Sequence, residues 1–228
     1  MKRIALAILS LCTLFSASAQ EFFDTGEPEE VFELGARLGI NTSNSVTKKD
    51  FAPVYNHCSW GTGFDAGIVA NLNIRNYISV QPGFFFESRS GSYTFIDYEA
   101  PLNPGAGQTL QVAAGNYLRY TFTVPIMLSF HFNVANDVRW NVEAGPYFAF
   151  NLKTNVSDKN EFKSDAGHDI TIKHKAMDFG FKMGTGLTLF DRYEVYAHYM
   201  AGCNNAWKKD IMGGRNKAWV FTLGYLFF

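Results

Sequence analysis

The sequence predicts an all-β chain: an eight-stranded antiparallel transmembrane β-barrel with up-and-down meander order. Three observations carry that expectation. Apolar residues recur at every second position in eight separate segments, which is the side-chain period of a strand. The connections between these segments alternate long and short, as in barrels with short turns on one side of a membrane and long loops on the other. The chain also opens on an export signal and ends on an aromatic strand.

The export signal comes first. Lys2 and Arg3 form a basic start, Ile4–Phe15 an apolar run, and Ala17-Ser18-Ala19 a small-x-small cleavage site, so residues 1–19 read as a signal peptide. Cys12 lies within it, but Leu11 is bulky where lipoprotein processing needs a small residue. Residues 20–30 carry Glu21, Asp24, Glu27, Glu29 and Glu30 with no basic partner, and read as a solvated, acidic periplasmic lead-in to a barrel over 31–228. Cleavage leaves 18 Lys+Arg against 21 Asp+Glu, a formal charge of -3. That balance excludes nucleic acid as a partner. Beyond the signal no apolar run nears the roughly 20 residues of a membrane helix, yet alternation hides a barrel from such a test.

The strand segments follow in order. Phe32, Leu34, Ala36, Leu38 and Ile40 alternate with Glu33, Gly35, Arg37, Gly39 and Asn41, and a polar connection runs from Thr42 to about Gly61. Phe64, Ala66, Ile68, Ala70, Leu72 and Ile74 form a second segment, and Arg75-Asn76 turns into a third holding Ile78, Val80, Pro82, Phe84 and Phe86. Ser88–Gly115 reads as a long connection. Tyr117–Phe150 is then a long hairpin with limbs of about 13 residues, well past the usual 5–6 of a soluble strand. Pro125 and Pro146 each lack a ladder donor, so each should mark a bulge or an unpaired site. Lys153–Lys175 is another long connection. Phe179–Leu189, Glu194–Gly202 and Trp219–Phe228 complete the eight, with a tight turn at Asp191-Arg192 and a loop over Cys203–Asn216.

A soluble lipocalin-like barrel would share the alternation. Two features favour lipid outside instead: glycines gather on the polar face, and the chain ends on bulky aromatics. Tyr120, Trp140, Tyr199, Trp219 and Tyr225 are then candidates for aromatic girdles. Cys58 and Cys203 remain after cleavage, and the sequence leaves open whether they pair.

Several stretches resemble one family. VPIMLSF at Val124–Phe130, GPYFAFNL at Gly145–Leu152, DFGFKMGTGL at Asp178–Leu187, AHYMAG at Ala197–Gly202 and the terminal LGYLFF are similar to strands of the porin-family (PorT-type) outer-membrane barrels. His198 stands where that family usually has arginine, and Phe228 follows the usual terminal aromatic. The resemblance implies the cell outer membrane and insertion by the barrel-assembly machinery; despite the family's name it does not imply a pore.

The polar face predicts an interior lined by Glu33, Arg37, Asp65, Glu87, Arg119, Arg139, Glu143, Asp178, Lys182 and Glu194. Eight strands leave an interior that side chains just fill, and buried charges need partners, so these residues should form a plug of paired charges. A monomer with a structural or surface-interaction role follows. The alternative is a narrow passive channel; a lipid-acting enzyme is the third class. Catalysis would need a nucleophile, base and orienting acid together, and His198 with Glu194 is too far along one strand to meet. No catalytic, cofactor or metal site is expected; His57, His168 and His174 read as solvated loop residues. Lys208, Lys209, Arg215 and Lys217 make the last outside loop basic beside Trp207, a patch suited to lipopolysaccharide phosphates or an acidic partner.

Overall fold

The computed structural model describes residues 22–47, 57–96, 112–135, 137–158, 174–207 and 214–227. The signal segment 1–19 lies outside the described residues. Eight strands close into one antiparallel barrel in chain order. They are β1 (Phe32–Thr47), β2 (His57–Arg75), β3 (Ile78–Ile96), β4 (Val112–Ala135), β5 (Val138–Asp158), β6 (Met177–Leu189), β7 (Tyr193–Gly202) and β8 (Gly214–Leu226). The ring closes where β1 pairs with β8, from Gly35↔Leu226 to Thr47↔Gly214.

The alternation does the sorting that its period implies. Along β8, residues 216, 218, 220 and 222 are buried inside, while Trp219, Phe221 and Leu223 face out. In register beside them stand Leu38 and Leu223, each 66% exposed, on one rung of an outward apolar belt. Phe84, Phe148, Phe179 and Phe181 extend that belt around the ring. Apolar side chains out and polar ones in is the inverse of a soluble barrel, so lipid is the medium the outer face requires.

Aromatic rings mark two levels of the outer face. Tyr199 packs on Trp219 with centroids 4.8 Å apart toward the long-loop end. Tyr193 and Tyr225 meet at 5.4 Å at the opposite end. The seven residues from Trp219 to Tyr225 separate the two levels along β8.

Six strands run further than the sequence reading placed them, β1 to Thr47 and β8 from Gly214 as well as β2 to β5. β2 and β3 are 19 residues long, β4 is 24 and β5 is 21, against 13, 10 and 13 for β6, β7 and β8. Much of what read as polar connection is strand rising past the apolar belt, where the outward face turns polar while inward residues such as Arg89, Tyr93 and Tyr117 stay buried, so the apolar alternation signal disappears. Arg215 and Lys217 consequently belong to β8 and not to the preceding loop, while Lys208 and Lys209 lie outside the described residues. The short-turn end is compact. In the three-residue β6–β7 turn Phe190 and Asp191 both take positive φ, at 53° and 54°, and the Arg192 amide donates to the Leu189 carbonyl at 3.1 Å, which makes the left-handed pair the centre of a tight turn.

Neither Pro125 nor Pro146 causes a bulge. Pairing passes from Pro125↔Tyr147 to Leu128↔Ala144 in one register, and Pro146 faces Phe181 on the other side. The shifts lie elsewhere, at Trp60/Asp65, Asn73/Arg75, Tyr120/Thr121 and Asn133/Ala135. Of the two outcomes expected for proline, the skipped ladder pair is the one found.

The lead-in is more than solvated acid. Phe22 stacks on Phe132 at 5.2 Å, Phe23 packs on Tyr77 at 4.8 Å, and Asn76 donates to Asp24 at 2.7 Å. Residues 22–30 therefore clasp the short-turn end. Cys58 is buried, Cys203 is exposed, and both are free thiols.

Candidate functional site

The inward face of the strands forms a column of polar side chains. Nearest the short turns, His131 bridges Asn141 at 2.7 Å and Ser79 at 2.8 Å, and Asn71 donates to Glu33 at 2.9 Å. Arg139 pairs at 3.4 Å with Asp191 of the β6–β7 turn, so it belongs to the rim and not to the interior.

The next tier is the densest. Arg37 donates from Nε and Nη2 to the two oxygens of Glu194, at 2.8 and 3.0 Å. Its Nη1 lies 3.5 Å from Glu143, and its guanidinium sits over the Tyr196 ring at 4.1 Å. His198 bonds Glu143 through Nε2. Three strands, β1, β5 and β7, thus meet across the interior through buried groups of opposite charge. Glycine makes this possible. A Cβ at Gly186 would stand 2.3 Å from the Tyr196 ring, and one at Gly184 2.5 Å from that of His198. The glycines of the polar face are the hollows into which neighbouring large side chains fold.

Above it Arg89 pairs with Glu87, Asn41 donates to Asp65 at 2.6 Å, and the Lys182 ammonium lies 4.9 Å over the Phe85 ring. Then come Asp178, which accepts from Asn216 at 2.8 Å and from Tyr147 at 3.3 Å, and Arg119, whose recorded contact is with Asn216 at 3.4 Å. Arg119 stands directly across from Arg89 on the β3–β4 ladder. Among the buried described residues, Arg37, Arg89, Arg119 and Lys182 face Asp65, Glu87, Glu143, Asp178 and Glu194. The signs nearly balance, so the interior offers no strong field selecting one ion.

An aromatic cap lies over this column at the long-loop end. Trp207 is 0% exposed and packs with Tyr93, Tyr117, Cys58 and Ala206. His174 stacks on Trp207 with centroids 4.0 Å apart, and the two residues form an isolated backbone bridge. His174 is buried, contrary to the solvated role expected of it, and both ring nitrogens lack a partner among the described residues. Burial, with Arg119 nearby, holds its pKa well below the histidine norm. His57 has no described side chain, and His168 lies outside the described residues.

Sequence reasoning placed Glu33, Arg37, Asp65, Glu87, Arg119, Glu143, Asp178, Lys182 and Glu194 on the inward face, where the structure has them. It did not find the Glu143–His198 contact, because cross-barrel neighbours leave no trace in spacing. It missed Arg89, which sits two residues beyond Glu87 on the same face and would have followed from a longer third strand. Asn41 was on the polar face but not singled out, and Asn216 and the Trp207 cap carried no signal. The chemistry available is modest. Ser129 opposes Glu143 in register, but its hydroxyl has no partner among the described residues; the serine–histidine contact that does form, Ser79 with His131, is buried and ends on the Asn141 amide instead of a carboxylate. No group of three metal-binding side chains occurs among the described residues.

A closed eight-stranded barrel with an apolar outer belt and a polar interior defines an outer-membrane β-barrel protein. The family model for the outer membrane protein beta-barrel domain matches residues 19–207, and the chain belongs to that family, which places it in the cell outer membrane. The sequence matches none of the curated proteins. Among solved structures it is similar to Ail, the attachment invasion locus protein of Yersinia pestis, determined in complex with the heparin analogue sucrose octasulfate. The identity is 15%, with 87% of this chain and 100% of that chain covered and a TM-score of 0.42. Neisserial surface protein A is 13% identical over 86% of this chain and 97% of its own, with a TM-score of 0.45. OprG from Pseudomonas aeruginosa is 10% identical over 90% and 99%, with a TM-score of 0.48.

Proposed function

We propose that the protein is a monomeric structural or surface-interaction barrel whose interior is sealed by paired charges. The observation that carries this is the Arg37–Glu194–Glu143–His198 tier, four buried groups from β1, β5 and β7 that close the narrow interior from opposite walls. The Glu87–Arg89 pair and the Trp207 cap add two further closures in series. The strand motifs noted above support the finer relation to the PorT-type barrels. No reaction is assigned: His198 is committed to Glu143, and His131, which meets the Ser79 hydroxyl, is held by the Asn141 amide inside the barrel.

The second reading is a narrow passive channel. It is favoured by the hydroxyls of Thr123, Ser129 and Thr222, which face inward without partners among the described residues and would suit a file of water. Proteoliposome swelling separates the two. Vesicles containing the refolded protein should swell in a small sugar no faster than empty ones. Swelling that scales with protein content would establish the channel.

A further inference from the structure

The outer wall carries a feature that the sealed interior does not use. β8 presents outward, in order toward the long-loop end, Phe221, Trp219, Lys217 and Arg215. On the neighbouring β1, the residues facing them are Ile40, Thr42, Asn44 and Val46. Beyond β1, Phe64 and Thr62 of β2 continue the same two lower rungs. The rung Phe221–Ile40–Phe64 is large and apolar, while the next, Trp219–Thr42–Thr62, drops to two small side chains beside one indole.

β2 is also irregular here. Between Trp60 and Asp65 its register against β3 shifts, and side chains replace part of the ladder: Ser90 donates to the Thr62 carbonyl at 2.6 Å, and the Phe64 amide to Ser88 at 3.0 Å. At the bulge and the small rung lies a groove of about 350 Å³, lined by Ile40, Phe64 and Phe221 of the lower rung together with Asn41, Thr42, Thr62 and Gly63.

The groove lies at the level of Trp219, where the outer girdle marks the boundary between acyl chains and headgroups. Lys217 stands one rung above it, roughly 7 Å along the strand, and Arg215 one rung further. Their cross-strand neighbours are Ala201, Asn44 and Val46, and neither cation has a carboxylate partner among the described residues. Two unpaired cations directly over an apolar slot at the membrane boundary match the charge order of an anionic lipid, phosphate above and chain below.

We propose that β8, β1 and β2 form a binding site for a phosphorylated outer-leaflet glycolipid, with Lys217 and Arg215 on its phosphate and an acyl chain in the Ile40–Phe64–Phe221 groove. The site rests on the surface-interaction reading but not on the sealed interior, so vesicle swelling would overturn the latter and leave this proposal standing.

The test is native mass spectrometry of the refolded barrel with bisphosphorylated lipid A and with its dephosphorylated form, each variant first shown to be folded by heat-dependent gel mobility. R215A/K217A should bind bisphosphorylated lipid A about thirtyfold more weakly, from about fivefold per surface cation, and should bind the dephosphorylated form as the wild type does. T62W, which fills the groove, should weaken both lipids about tenfold, the loss of roughly two buried methylenes. Equal binding of bisphosphorylated lipid A by wild type and R215A/K217A would overturn the site. So would wild-type binding that is indifferent to phosphate removal. Displacement of lipid A by millimolar inorganic phosphate, with T62W behaving as wild type, would assign the cations to free phosphate and contradict the lipid reading.

Discussion

Replacing Arg37 by Met should be among the most damaging single changes to the barrel. Methionine keeps most of the length of the side chain and the packing on Tyr196, so the loss is mainly electrostatic. What disappears is two charge-assisted hydrogen bonds to Glu194, at 2.8 and 3.0 Å, and a 3.5 Å approach to Glu143. Glu143 retains His198, whereas Glu194 is left as a buried carboxylate whose recorded cation is gone. Removing one member of a buried pair typically costs about 3–5 kcal/mol, and that is the destabilisation expected here. Neutralising the orphan should return much of it: Arg37→Met with Glu194→Gln is expected within about 2 kcal/mol of wild type, because a neutral pair of similar volume avoids the desolvation. The coupling between the two positions should exceed about 1 kcal/mol, as for residues in one network. Urea unfolding in lipid vesicles, followed by tryptophan fluorescence, measures all four species of the cycle. A single variant within about 1 kcal/mol of wild type, or two effects that simply add, would refute a tier of paired charges.

Three further outcomes follow from the same structure. Leu223→Arg places a cation in the middle of the outward belt, beside Leu38, and should cost about 2–4 kcal/mol in vesicle unfolding; a neutral effect would mean this face is not in lipid. Gly186→Val should refold poorly, because its Cβ would already stand 2.3 Å from the Tyr196 ring and 2.5 Å from the Val195 carbonyl; Gly186→Val with Tyr196→Ala should recover refolding only in part, since the carbonyl stays, and no recovery at all would show that the ring is not an obstacle. The cap should loosen in acid: His174 stays neutral when buried but takes a proton near 6.5 once released, so closed-cap stability falls as the pH drops below that value and is unaffected above it. The resonance of fluorotryptophan-labelled Trp207 should shift over that range in wild type and stay fixed in His174→Gln; a wild-type signal that does not move would contradict the buried histidine.

How much was legible in the sequence depends on the medium that each segment meets. Where one face touches lipid and the other the interior, as in Phe179–Leu189, alternation is strict and strand, face and turn were all readable. Above the belt, at Ser88–Thr94 or Lys153–Ser157, the outward face is no longer apolar, although inward residues such as Arg89 and Tyr93 stay buried, so the alternation faded and the strands read as loops. The inward charges were readable because a lone Arg37 or Glu194 on an otherwise regular face stands out. Their partners were not, since Glu143 and His198 come together only through barrel closure across 55 residues of chain. Trp207 was unreadable for a different reason: it reaches the mouth from a polar segment with no periodicity, and only the rings of Tyr93, Tyr117 and His174 reveal it as a cap.

The claim of a sealed interior is tested most directly by recording from single wild-type barrels in a planar bilayer, with heat-dependent gel mobility confirming that the inserted protein is folded. Three closures in series, at Arg37–Glu194, Glu87–Arg89 and Trp207, predict a silent membrane at low voltage. Discrete conductance steps of uniform size, appearing in proportion to the protein added, would contradict it.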